Sequence, residues 1–282
     1  MFGVRRVISR YAVALLLAAA TLLLCSCGVT DLVFEPELFE TEVRSARLPE
    51  ELDGFRIALV SDLHVDGHRH PEYLPRIVER MNQLAPDLIA IVGDLADGKA
   101  AELAPQLEAL RKLKARYGVF GVPGNHEYYS GYQDHMAYLP TLGISMLENS
   151  HRMIRPDFAV AGITDPAAVK HHLPGPDIAA ALKDIPPGAF ILLLAHRPQF
   201  CVAASELGVD LQLSGHTHGG LVWGLGPLFV HSDDNFVAGA YRIGATALYV
   251  SRGTAFRSRG GWGCIWRLGV PPEITLLTLR RP

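Results

Sequence analysis

Five short apolar runs in this chain end directly, or within two residues, in side chains that bind cations. Residues 56–61 (RIALVS) run into Asp62-Leu63-His64, and residues 88–92 (LIAIV) into Gly93-Asp94-Leu95-Ala96-Asp97. Residues 119–122 run through Pro123 into Gly124-Asn125-His126-Glu127. Residues 190–194 lead to Ala195-His196-Arg197, and residues 209–213 to Gly215-His216-Thr217-His218-Gly219-Gly220. Apolar runs this short, bounded by turn residues, read as buried strands. Between the first three, Leu74, Ile77, Val78, Met81 and Leu84, then Leu103, Leu107, Leu110 and Leu113, fall at helical spacing. A β-α-β-α-β order implies a parallel sheet with helices packed on it. Ligands of such sheets bind outside the carboxyl ends of the strands, so the five polar ends are expected to converge.

The later half is richer in strands. Residues 145–154 and 158–162 read as a hairpin or two adjacent strands, and further strands are expected at 248–250 and 274–277. That is more than one small sheet holds. The expected fold is therefore α/β, with two packed mixed β-sheets flanked by helices, an α/β-β/α sandwich. Internal linkers are short, so residues 52–282 read as one domain. With 49% apolar residues the chain has the material for such a core, and disorder is excluded.

The converging set is Asp62, His64, Asp94, Asp97, Asn125, His196, His216 and His218, with no cysteine. Hard oxygen donors and imidazoles suit Mn, Fe or Zn rather than a thiolate site. One four-coordinate ion cannot use so many donors. A carboxylate-bridged pair of ions, roughly 3.5–4 Å apart, uses them better. Other catalytic templates are absent: no phosphate-cradling G-x-x-x-x-G-K-[ST], no H-E-x-x-H and no G-x-S-x-G. Lys and Arg number 26 against 29 Asp and Glu, so no nucleic-acid partner is expected. Four cysteines make no disulfide framework, and Cys201 and Cys264 are not expected to pair.

The N-terminus is set apart. Arg5, Arg6 and Arg10 precede an uncharged stretch, residues 11–30, after which acids return at Asp31, Glu35, Glu37, Glu40 and Glu42. Residues 1–30 read as a cleaved signal or an uncleaved membrane anchor, and 31–51 as a leader strand and linker. The basic flank stays in the cytoplasm, so the catalytic domain is expected on the extracytoplasmic, periplasmic side, anchored or exported. Leu24-Cys25-Ser26-Cys27 resembles a lipobox that would place a lipid on Cys27, and Arg5-Arg6 faintly resembles a twin-arginine signal.

In order, D-x-H, G-D-x-x-D, G-N-H-E, a lone His and G-H-T-H resemble the calcineurin-like metallophosphoesterase superfamily across residues 52–280. The stretches SDLHVDG, PGNHEYYSG, SGHTHGG, YVSRG and PPEIT resemble its bacterial YkuE/YaeI-type branch, with Leu221 where that branch often carries Gln. The resemblance implies the metallophosphoesterase fold and two divalent ions: Mn, Fe or Zn, with Mg a further candidate. It implies Asp62, His64 and His218 on the first ion, Asn125, His196 and His216 on the second, and Asp94 bridging. His126 becomes the non-ligand histidine beside the leaving group, oriented by Asp97. The implied reaction is attack of a bridging hydroxide on a phosphoester, with a phosphodiester of the envelope, lipid-linked, as the expected substrate. The alternatives are a UDP-2,3-diacylglucosamine-type pyrophosphatase, whose substrate lies on the cytoplasmic side, and a non-catalytic envelope binding protein.

Outside that set, His68-Arg69-His70 reads as a solvated loop within reach of substrate phosphate, and His171-His172 as surface. Glu127 reads as a residue that supports the ligands from behind or starts a helix, rather than as a direct participant. Arg252 and Arg257 are read as anion-binding or simply exposed, and Trp223, Trp262 and Trp266 as core or as an apolar rim for lipid.

Overall fold

A computed structural model describes residues 35–221, 236–260, 263–267 and 269–282. The expected signal or anchor with Cys25 and Cys27, and Trp223 and Trp262, lie outside the described residues. So do the side chains of Arg257, Cys264 and Trp266.

The described strands are β1 (Glu37–Arg44), β2 (Arg56–Val60), β3 (Leu88–Val92), β4 (Val119–Val122), β5 (Ile144–Met146), β6 (Ser150–Arg155) and β7 (Phe158–Gly162). They continue with β8 (Phe190–Leu194), β9 (Leu211–Ser214), β10 (Gly239–Ile243), β11 (Thr246–Val250), β12 (Arg257–Gly260), β13 (Gly263–Trp266) and β14 (Glu273–Arg280). The helices are α1 (Tyr73–Gln83), α2 (Ala100–Leu107), α3 (Asn125–Ser130), α4 (Tyr132–Tyr138), α5 (Ala167–Lys170), α6 (Ile178–Leu182) and α7 (Cys201–Glu206).

Two mixed six-stranded sheets form, ordered β1-β14-β2-β3-β4-β5 and β10-β11-β9-β8-β7-β6, with a β12-β13 hairpin beside them. In the first, β2 to β5 run parallel and β14 runs antiparallel to β2. In the second, β7, β8, β9 and β11 run parallel between antiparallel edges β6 and β10.

Strand side chains alternate between faces. Ile57 and Leu59 of β2 and Leu88, Ala90 and Val92 of β3 meet Phe158, Val160, Phe190, Leu192, Leu211 and Leu213 from the other sheet. Ala58, Val60, Ile89 and Ile91 turn the opposite way, onto Leu74, Ile77, Met81, Leu103 and Leu107. In the second sheet Ala161, Ile191 and Leu193 pack on Ile178, Ala181 and Ala204. The layers are helix, sheet, sheet, helix. Strands covered on both faces read as unbroken apolar runs, which explains their clarity in the sequence. Phe158 and Phe190 cross edge to face at 5.0 Å in the middle layer, and burying each ring contributes about 1.5–3 kcal/mol.

Residues 145–154 do not form one strand. Ile144–Met146 closes the edge of the first sheet, and Ser150–Arg155 begins the second. Asn149 makes the corner at φ 48°. Its Oδ1 accepts from the backbone N–H groups of Thr164 (3.2 Å) and Asp177 (3.0 Å), and its Nδ2 donates to Gly175 O at 2.8 Å. The stripe from Leu103 to Leu113 is also divided: α2 ends at Leu107 and a 3₁₀ turn covers Glu108–Lys112. The leader carries a strand of the first sheet. β1 pairs in parallel with β14, from Glu37↔Glu273 to Arg44↔Arg280.

Candidate metal centre

The loops after β2 and β3 remain zipped beyond the sheet. Asp62 N–H donates to Gly93 O (3.0 Å), His64 N–H to Asp94 O (3.0 Å), and Val65 N–H to Leu95 O (2.8 Å). The second sheet joins through His216, whose N–H reaches both Asp62 carboxylate oxygens at 3.2 Å. Gly215 N–H donates to His196 O at 2.9 Å. A Cβ at Gly215 would lie 2.5 Å from Asp62 Oδ2, and one at Gly124 would strike the Asp94 carboxylate, so both places require glycine.

Asp62, His64, Asp94, His216 and His218 all have left-handed backbones, with φ of 51°, 42°, 52°, 70° and 50°. Such positions cost of order 1–3 kcal/mol each, and they gather at functional sites, where the surroundings over-determine them.

Ligand-type atoms meet in three groups, each within 4.8 Å: Asp62, His64 and His218; His64, Asp94 and His126; Asp94, His196 and His216. Asp94 belongs to two of them. Its Oδ1 accepts from His126 N–H at 2.9 Å, while Oδ2 faces His196 Nε2 (3.3 Å), His64 Nε2 (3.8 Å) and His126 Nε2 (3.8 Å). His218 Nε2 lies 3.1 Å from His64 Nε2 and 3.5 Å from Asp62 Oδ1. The carboxylates and histidines expected at the ions thus fall in these overlapping groups, and Asn125 is the first residue of α3.

Two buried atoms test whether ions fit. His196 Nε2 and Asn125 Oδ1 have no hydrogen-bond partner. An unsatisfied buried polar atom costs about 1–3 kcal/mol, and a cation removes that cost. His196 donates from Nδ1 to Val92 O at 2.9 Å. That bond fixes the ring with Nε2 pointing inward, the atom a metal-binding histidine uses once its proton is displaced. The donor set and its orphaned atoms fit a divalent pair.

The electrostatics divide the carboxylates. Burial pushes the Asp62 carboxyl above its ordinary pKa. Burial opposes charge on Asp94 too, yet His196, His126 and His64 hold it well below the ordinary range. Burial likewise opposes charge on the imidazoles, but Asp94 and Asp97 push His126 up to about 9, and Asp94 and Asp62 push His196 up to about 10. Burial keeps His216 and His218 well below the ordinary histidine value. His126 opens outward, its side chain 23% exposed against 13% for His218 and 0% for His64 and His196.

Several supports go beyond the sequence reading. Asp97 Oδ1 accepts from His126 Nδ1 and also from His64 Nδ1. Glu127 is buried and accepts four backbone N–H groups: Gly124 (2.7 Å), Asp94 (3.1 Å), Leu95 (2.7 Å) and Ala96 (3.2 Å). It ties the β3 loop to the start of α3. Arg267, which carried no sequence signal, is buried with its guanidinium 3.0 Å from His218 Nδ1 and bonded to Arg252 O.

Two readings need correction. The His68-Arg69-His70 loop is not wholly solvated: Arg69 is buried, donates from Nε to His64 O at 3.0 Å and covers the Tyr73 ring. Arg252 is not a simple surface residue. It pairs with the fully buried Glu273 at 2.5 Å and stacks on Phe39. His171 and His172 are exposed, as expected, and Cys201 is a buried free thiol.

Residues 55–220 match the family model described as Calcineurin-like phosphoesterase. A zebrafish (Danio rerio) protein named "Transmembrane protein with metallophosphoesterase domain" is 33% identical over 273 residues, 93% of this chain and 61% of its own length. An uncharacterized metallophosphoesterase of Helicobacter pylori J99 is 35% identical over 254 residues, 89% of this chain and 66% of its own. The uncharacterized metallophosphoesterase YkuE of Bacillus subtilis is 30% identical over 257 residues, 87% of both chains. The chain therefore spans 61% and 66% of the length of the first two relatives and most of the third.

Proposed function

Because this chain belongs to the calcineurin-like phosphoesterase family, a metallophosphoesterase in sequence and in fold, we propose that it hydrolyses phosphodiesters at the cluster around Asp94. Asp62, His64 and His218 would hold one divalent ion and Asn125, His196 and His216 a second, with Asp94 between the two sets of residues. The observation that carries the reading is the pair of orphaned buried atoms, His196 Nε2 and Asn125 Oδ1, in a cluster centred on Asp94. The donor chemistry favours Mn, Fe or Zn.

When bound, the ions supply positive charge to the phosphoryl oxygens and to the attacking water. The chain's own residues do the rest. Asp97 holds the His126 ring by Nδ1, which aims Nε2 into the site. Protonated His126 gives that Nε2 proton to the departing ester oxygen, the role of a general acid. Asp94 and Asp97 keep it protonated by their charge. Glu127 keeps the Asp94 loop and the Asn125 turn in register.

The substrate in this reading is an envelope or lipid-linked phosphodiester met outside the cytoplasm. The basic-then-apolar N-terminus supports it, as does the transmembrane name of the zebrafish relative. Among the described residues no helix is long and apolar enough to cross a membrane.

The test strips the protein of metal, restores Mn²⁺, Fe²⁺, Zn²⁺ or Mg²⁺ singly, and follows a chromogenic phosphodiester and monoester. Metal-dependent turnover favouring the diester supports the reading. Two bound ions per chain with no turnover of either ester would overturn it.

A further inference from the structure

We propose that the site continues, past His126, into an aromatic subsite that takes a planar ring on the leaving group. The inference rests on the phosphodiesterase reading and adds a substrate class to it.

The rings form a chain. His126 lies 5.7 Å from Tyr129, centroid to centroid, and Tyr129 lies 6.2 Å from His171. His171 is 6.1 Å from Tyr128, which stacks on Tyr132 at 4.3 Å and 12°. The three wider spacings fall within the range where aromatic rings attract one another, and Tyr128 and Tyr132 are in closer stacking contact. Past Tyr129 the chain borders a cavity of about 320 Å³, lined by Tyr128, Tyr132, Gln133, Asp134 and His171 among others. That volume is at the small end of ligand pockets.

The local fold explains the placement. α3 starts with the candidate ligand Asn125, and His126 and Tyr129 follow three residues apart, so both lie on one side of the helix. Tyr128 is buried against Ala167 and Ala168 of α5, which anchors the helix from behind. Tyr129 lies outside that packing: it is 59% exposed, with its hydroxyl beside the Asn125 side chain. A large aromatic with so much of its surface in solvent, beside the proposed acid on one hand and the cavity-lining His171 on the other, offers its face to a ligand.

The lining chooses the ligand class. Aromatic faces beside an amide, a carboxylate and an imidazole suit a flat ring with polar edges, either a nucleobase or a substituted aryl group. An alkyl chain would find too little apolar wall. In hydrolysis the P–O bond to the ring-bearing alcohol breaks and water oxygen forms the new bond to phosphorus. The leaving oxygen takes the His126 proton, the proton lost by the attacking water passes to solvent, from which His126 is reprotonated, and the ring departs along Tyr129.

Binding tests this apart from turnover. On the metal-loaded full chain, affinities are measured for benzylphosphonate and for cyclohexylmethylphosphonate, whose ring has equal size but is not flat. The CH₂ group replaces the ester oxygen, so neither is cleaved. The expected preference for the flat ring is about tenfold, falling to about one in Tyr129→Leu and in His171→Ala, with metal content and melting temperature unchanged. No preference in the wild type, or one that survives both substitutions, would overturn the subsite. Loss of metal from Tyr129→Leu would also overturn it, by making Tyr129 a support for Asn125. A 5′-deoxythymidine 5′-phosphonate arm separates the sources: tighter binding than benzylphosphonate assigns a nucleobase, and weaker binding an aryl group. Methyl phenyl phosphate is assayed alongside. An intact ring preference without its cleavage would support the subsite and count against the phosphodiesterase reading alone.

Discussion

His64 and His126 share one acceptor: Asp97 Oδ1 lies 2.8 Å from Nδ1 of the first and 2.7 Å from Nδ1 of the second. Their rings meet nearly edge to face at 4.6 Å. A carboxylate accepting from Nδ1 fixes each ring with Nε2 directed inward. Burial opposes charge on Asp97, yet its hydrogen bonds to His126 and His64 hold its pKa below the ordinary range. The candidate metal ligand and the candidate acid therefore depend on the same negative charge.

Asp97→Asn is expected to damage both. Turnover should fall about 10²-fold or more, the usual worth of a positioned acid. The alkaline limb of the pH–rate profile should move to lower pH, because His126 loses a charge that raises its pKa. Metal affinity should also fall about 10–100-fold, as when a ligand loses its orienting partner. Metal analysis together with the pH profile checks this. A variant with normal metal affinity and an unmoved alkaline limb would contradict it.

Asp94→Asn removes the charge that the two groups share. Its Oδ2 faces His196, His64 and His126 together. The expected outcome is fewer than two ions per chain by elemental analysis, with activity lost in proportion. A His126 pKa below that of the wild type should accompany it, since Asp94 raises that value. Retention of both ions at wild-type affinity would contradict the bridging role.

Proton and metal should compete at His196. In the metal-free protein its pKa is pushed up to about 10, so near neutral pH an ion must displace a proton. Apparent affinity is expected to rise with pH, by up to about tenfold per unit below 10. Mn²⁺ titrations at three pH values check this. The same protons stabilise the metal-free fold. His126 and His196 have folded pKa values above the ordinary 6.5, so their contribution is full below about 6.5 and is lost as pH rises through 9 and 10. Urea melts of the metal-free protein should weaken between those limits.

Glu127→Gln exchanges a carboxylate for an amide in a place surrounded by four backbone donors. One amide oxygen cannot serve them all, and the new NH₂ group faces other N–H groups. At about 1–3 kcal/mol for each unsatisfied donor, a loss of roughly 2–4 kcal/mol is expected, readable in denaturant melts. Glu127→Ala should show a similar loss, whereas Glu72→Gln, on the surface, should leave the melt unchanged.

What could be read in the chain was local. Runs such as residues 88–92 and 190–194 are apolar at every position because both strand faces are covered, and that pattern is visible without knowing the partner. The donors after each run were legible for the same reason, since a strand end delivers its next residues to the site whatever neighbours it has. Even Glu127 was placed at a helix start from its position alone.

The remainder came from residues distant in sequence. The strand expected over 145–154 breaks because Asn149 finds partners at Thr164, Gly175 and Asp177, none of which its own segment discloses. Arg252 meets Glu273, and Arg267 reaches His218, through loops whose courses only packing decides. Asp97 was expected to hold one histidine and holds two, because β2 and β3 are neighbours and bring His64 beside it. The order of apolar runs and donors determined the fold class and the metal chemistry, since covalent spacing alone carries both. Which groups share a proton, a charge or a ring contact was decided in three dimensions, where short-range forces act between residues far apart in the chain, as between His64 and His218, 154 positions apart.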